Sequence, residues 1–152
     1  TKAARVSALA KDLVEVMRSA ELERLKVETD KRMAFHCPCT LQHAQKLGGA
    51  VEDVLTRLGF HLTAVPDAHL CCGSAGTYNM LQPELAGRLL ERKVENLKRA
   101  GGAVIATGNI GCLEQIAGGL AGGTGENKGP PVVHTIELLD WATGGPKPEG
   151  IP

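Results

Sequence analysis

Five cysteines fall in three short groups: His36-Cys37-Pro38-Cys39, His69-Leu70-Cys71-Cys72-Gly73, and Gly108-Asn109-Ile110-Gly111-Cys112. Four of them sit in close pairs, Cys37 with Cys39 and Cys71 with Cys72, and such neighbours are poor partners for a structural disulfide. The odd total points the same way. Gathered thiolates suit an iron-sulfur cluster or zinc, whereas hard cations such as calcium prefer oxygen. Any one of these cysteines alone would read as a small buried hydrophobe. Five at three separated points need a common explanation, and a thiolate metal site in a reducing, cytoplasmic setting supplies it. A nucleophilic reading, with Cys37 or Cys72 activated by a histidine, would leave the other cysteines unexplained.

The remaining polar residues add less. His36, His69 and His134 fall near strand ends and read as hydrogen-bonding or surface residues beside a site rather than as its ligands; His43 and His61 are weaker candidates. Glu91, Glu95 and Glu114 lie in helical stretches and read as solvated faces. The glycine-rich run from Gly118 to Pro131 lacks the Gly-Lys-Ser/Thr ending of a phosphate loop and reads as a flexible loop. Gly73 and Gly111 would let the backbone pass close to a bound cluster and turn N–H groups toward its sulfurs.

The elements that must position the cysteines alternate in type. Apolar residues at helical spacing predict an amphipathic helix from Val6 to Met17 and another from about Leu41 to Leu58, stopped by Gly59. A third runs from Pro83 to about Ala100, stopped by Gly101-Gly102. A short helix spans Leu113 to Leu120, and a last one Ile136 to Ala142 with Thr135 as N-cap. Strand-like segments are Met33 to His36, His61 to Val65, Ala103 to Ala106 and Val132-Val133. Alternation of this kind predicts a single α/β domain with a mostly parallel sheet flanked by helices. Each cysteine group follows a strand, so the cysteine loops should converge at the carboxyl edge of the sheet.

Composition bounds the rest. At 152 residues the chain fits one domain. We divide it into an N-terminal helical segment packing on the domain (1–30), the cysteine-rich domain itself (31–143) and a frayed tail (144–152). Seventeen basic residues balance seventeen acidic ones, and only four residues are Phe, Trp or Tyr. Neither a basic field nor a set of stacking platforms is present, so nucleic acid is not an expected partner. No apolar run approaches the roughly 20 residues of a membrane span, and no secretory signal pattern is visible. The expectation is a soluble, cytoplasmic domain, with Thr1 in place of an initial Met suggesting a fragment.

Cys71-Cys72-Gly73, preceded by Pro38-Cys39 and followed by Cys112, resembles the cysteine-rich CCG domain of heterodisulfide reductases, lactate-utilisation proteins and glycolate oxidase iron-sulfur subunits. The strings from His36 to Gly49 and from Leu70 to Tyr78, with Asn109-Ile110-Gly111-Cys112, resemble the glycolate oxidase branch. The resemblance implies Cys39, Cys71, Cys72 and Cys112 as ligand positions. Asn109 departs from the pattern, standing where the family often has another Cys, and Cys37 is the candidate replacement. The implied cofactor is an iron-sulfur cluster, with 4Fe-4S among the candidate types and zinc as the alternative. The implied function is electron relay from a flavin-containing subunit that oxidises glycolate to glyoxylate. The other implied partners are the ferredoxin-like region and first CCG domain of the same iron-sulfur subunit. Such a complex could be peripheral at the inner face of the cytoplasmic membrane, and the domain would not be active alone. The contrasting reading is a structural or docking domain whose thiolates hold zinc or nothing.

Overall fold

The computed structural model describes residues 1–122 and 129–152. Part of the glycine-rich loop expected between Gly118 and Pro131 lies outside the described residues. Four strands, β1 (Arg32–His36), β2 (His61–Thr63), β3 (Val104–Thr107) and β4 (Val132–His134), form one sheet in the order β2-β1-β3-β4. All three pairings are parallel. The helices are α1 (Lys2–Leu9), α2 (Leu13–Arg18), α3 (Ala50–Arg57), α4 (Tyr78–Leu81), α5 (Pro83–Ala100), α6 (Ile110–Ala121) and α7 (Thr135–Ala142).

Strand alternation divides the core into two layers. Met33, Phe35 and Cys37 of the first strand segment pack with Val104 and Ala106 against Val54 and Leu55 of α3 and Leu138 of α7. Ala34 and Ile105 face the other way, onto Val94 and Leu97 of α5 and Ile116 and Leu120 of α6. The result is the expected α/β architecture, a parallel sheet with helices on both faces. Among the described residues, no helix is long and apolar enough to cross a membrane.

Several boundaries move for local reasons. The helix expected from Val6 to Met17 is two: Ala10 and Asp12 are extended, and Asp12 starts α2 with a capping box. Its Oδ1 accepts from the Val14 N–H at 3.0 Å, while Glu15 Oε2 accepts from the Asp12 N–H at 2.8 Å. The helix expected from Leu41 to Leu58 is also broken. A π-helical turn at Thr40–Ala44 gives way to left-handed backbone at Lys46 (φ 60°) and Gly49 (φ 82°), after which α3 begins. α7 is capped by His134, whose Nδ1 accepts from the Ile136 N–H at 3.2 Å, rather than by Thr135. Among the first 30 residues, Val14 and Leu22 are buried while α1 buries none. The tail expected to fray, 144–152, is anchored near its end: Ile151 is only 6 % exposed and joins the core beside Ala142.

Candidate metal centre

β1 runs on to β2 on one side of itself, and the chain then returns to place β3 on its other side. Connections that leave adjacent parallel strands toward opposite sides open a crevice at their carboxyl ends. The loop after β1 carries Cys39 and the start of α6, just past β3, carries Cys112, so sequence order and strand order together bring these two to one crevice. The loop after β2 lays Cys71 and Cys72 over it. Cys39, Cys71, Cys72 and Cys112 all line one cavity of about 280 Å³, with Pro38, Ser74 and Asn109 among its walls.

Cys37 does not line that cavity. At 6 % exposure its side chain lies in the aliphatic layer with Leu41 and Val51. Strand alternation explains this, since Phe35 and Cys37 share a face whereas His36 takes the opposite one. His36 therefore comes to the site in place of Cys37. Its ligand nitrogen and the sulfurs of Cys72 and Cys112 all lie within 4.8 Å of one another, and all three residues are buried. His69 and His134 are not part of that group, and His61 begins β2 at the opposite, amino edge, paired with Arg32.

Backbone geometry holds the sulfurs in place. Gly73 has φ 92°, and a Cβ there would stand 2.5 Å from the Ala86 carbonyl oxygen, so only glycine lets this loop press against α5. The Gly73 N–H donates to the Cys71 sulfur at 3.3 Å. Asn109 is the N-cap of α6, its Oδ1 accepting from the Cys112 N–H at 3.1 Å. The residue that departs from the family pattern thus fixes the start of the helix that presents Cys112.

The four sulfurs do not share charge evenly. The Cys112 thiol donates to Cys72 and lowers the Cys72 pKa to about 4; the neighbouring His36 and the Ser74 N–H act in the same direction, against burial. The same bond pushes Cys112 strongly up, because losing its proton forfeits the interaction. Burial, followed by the charge of Cys71, pushes Cys39 up to about 11. Cys37 is also pushed up to about 11, first by burial and then by Glu52.

Below the sulfurs, His36 and Thr107 are partners across β1 and β3. Both are buried, and among the described residues His36 Nδ1, His36 Nε2 and Thr107 Oγ1 have no hydrogen-bond partner. Buried polar atoms are costly unless a water, an ion or a ligand pairs with them. Four free thiols lining one cavity over an unsatisfied imidazole fit a soft metal or an iron-sulfur cluster. The sequence alone places His36 beside the site but does not show that its nitrogens lack partners. Thr107 and the buried Lys93 are not among the residues that the sequence motifs single out, and Thr107 carries no signal there. Lys93 has a legible signal, because it stands three residues after Leu90 and four before Leu97, on the apolar stripe of α5.

Residues 33–117 match the model of the CCG cysteine-rich domain. The chain belongs to this family. It is 53% identical over 141 residues to the glycolate oxidase iron-sulfur subunit of Escherichia coli (strain K12), covering 93% of this chain and 33% of that protein. It is 30% identical over 142 residues to lactate utilization protein A of Geobacillus thermodenitrificans, covering 91% of this chain and 56% of that protein. The Bacillus velezensis lactate utilization protein A is 29% identical over 114 residues, 72% of this chain and 45% of its own. The chain therefore spans between a third and somewhat over half of the length of these curated relatives.

Proposed function

We propose that this CCG domain is an electron-transfer module, holding an iron-sulfur cluster on Cys39, Cys71, Cys72 and Cys112 within a larger oxidoreductase. The observation that carries this reading is the convergence of three separate cysteine loops on one cavity at the β1/β3 crevice. A relative 53% identical is named as the iron-sulfur subunit of glycolate oxidase. By that likeness, electrons would come from a flavin-containing subunit oxidising glycolate, with the rest of the iron-sulfur subunit as the immediate neighbour. The cluster supplies a one-electron carrier, and the chain's own residues bind it, shield it from water and set the charge around it.

Anaerobic reconstitution with iron and sulfide tests this reading. The expected result is a broad visible absorption that bleaches on reduction, abolished by Cys72→Ser and kept by His61→Ala. His61 is the control because it lies at the opposite edge of the sheet. One observation favours a second reading: His36, Cys72 and Cys112 already offer three ligand atoms within 4.8 Å of one another, three of the four that a structural zinc site takes. Stoichiometric zinc that excludes iron under the same conditions would make the domain a structural or docking module instead.

A further inference from the structure

Lys93, in the middle of α5, is 0 % exposed. Its Nζ donates to two backbone carbonyls, of Asp67 at 3.3 Å and Ala68 at 3.2 Å. Both belong to the turn that leads directly into Cys71-Cys72. A buried ammonium is costly unless opposite charge compensates it. The nearby Asp67 carboxylate is engaged elsewhere, by Arg92 at 2.8 Å and Asn96 at 3.5 Å. Burial lowers the Lys93 pKa from the usual lysine range, and the groups that oppose it are Cys39, Cys72 and Cys71, ahead of Asp67. The influence is mutual, since Lys93 favours the thiolate of Cys39. The next residue, Val94, packs in the same layer as Cys72 and Cys112. The lysine thus reaches from α5 to the turn that carries Cys71 and Cys72.

We propose that Lys93 is the counter-charge of the cysteine site: a positioning residue that tethers the Cys71-Cys72 loop and whose buried positive charge raises the reduction potential of the group held there. This rests on the cluster reading given above. One-electron reduction adds one negative charge to the bound cluster, with no bond made and no proton required. A fixed positive charge in a low-dielectric setting stabilises the more negative, reduced form over the oxidised one. An exposed lysine could not do this, because water and salt would screen it.

The test compares wild type, Lys93→Met, Lys93→Arg and Arg92→Met, each reconstituted anaerobically with iron and sulfide. Far-UV circular dichroism reports folding, the visible spectrum reports assembly, and a dithionite titration reports the midpoint potential. We expect Lys93→Met to assemble the cluster with its reduction equilibrium weakened at least tenfold, about 59 mV for one electron. Lys93→Arg should stay near wild type. Arg92→Met, which removes a tether of the same turn but carries its charge in solvent, should not move the potential. Lys93→Gln takes the place of the methionine variant if that one does not fold.

A folded Lys93→Met that takes up no cluster while Lys93→Arg does would also support the charge role. An unchanged midpoint in Lys93→Met would overturn it. So would loss of the cluster in both Lys93→Met and Lys93→Arg, which would make the role one of shape. Failure of wild type itself to take up iron and sulfide would overturn the cluster reading. The counter-charge would then have no group to act on and would fall with it, whereas a loaded wild type beside an unmoved Lys93→Met midpoint overturns the counter-charge alone.

Discussion

Cys37 and His36 are adjacent in sequence, yet the structure sends them to opposite faces of the sheet, and this decides which of them approaches the sulfurs of Cys72 and Cys112. The number of thiols alone makes Cys37 an attractive substitute for the thiolate absent at Asn109. The geometry instead gives the cavity four sulfurs, with the His36 imidazole within 4.8 Å of two of them. Asn109 has its own task as the cap that positions Cys112. Cys37→Ala is therefore expected to leave metal or cluster loading at the wild-type stoichiometry. Its cost should be only that of a small void in the aliphatic layer, about 1 kcal/mol. Metal analysis and a denaturant melt on the same preparation check both halves, and loss of one metal equivalent with Cys37→Ala would return that residue to the ligand set.

At the scale of elements, the loop between β2 and α4 has the most exacting backbone. Gly73 combines a left-handed φ with close approach to the Ala86 carbonyl, and Asp67 (φ 47°) and Ala75 (φ 39°) add two further left-handed residues. Gly73→Ala should destabilise the domain by about 2 kcal/mol and lower Tm by roughly 5 °C, with weakened metal loading, since α5 and the cysteine loop must part to admit the methyl group. A melt at the wild-type temperature would refute this. Sequence reveals some of these elements and hides others. The strands and α5 are legible because their apolar periodicity is uninterrupted, and the convergence of the cysteine groups follows from their places after three parallel strands. The breaks at Asp12 and at Gly48-Gly49 are not, because apolar spacing continues across them while capping and left-handed backbone redirect the chain. Which side of the sheet each cysteine takes is available from strand alternation once β1 is extended past His36. The pairing of His36 with Thr107 depends on the register between β1 and β3, which no local pattern states.

At the scale of the whole molecule, the proposed relay role separates one-electron transfer from the 2-hydroxy-acid oxidation it would serve. Oxidising glycolate to glyoxylate removes two electrons and two protons, the equivalent of one hydride and one proton, and needs an organic two-electron acceptor such as a flavin. A thiolate-bound cluster accepts one electron at a time and takes no hydride. The chain spans 33% of its Escherichia coli relative, and under the proposed relay role the first step would take place outside it. The cavity supports this division, being walled by sulfur, small residues and backbone, with Pro38, Ala75 and Gly76 rather than an arginine clamp for a substrate carboxylate. We therefore expect the reconstituted domain, mixed with glycolate and an artificial one-electron acceptor, to show no turnover. Addition of a flavin-containing partner should restore electron flow through the wild-type domain, and the Cys72→Ser domain should fail in the same mixture. Dye reduction by the domain with glycolate alone would place the oxidation chemistry within these 152 residues and remove the reason for assigning them a relay role.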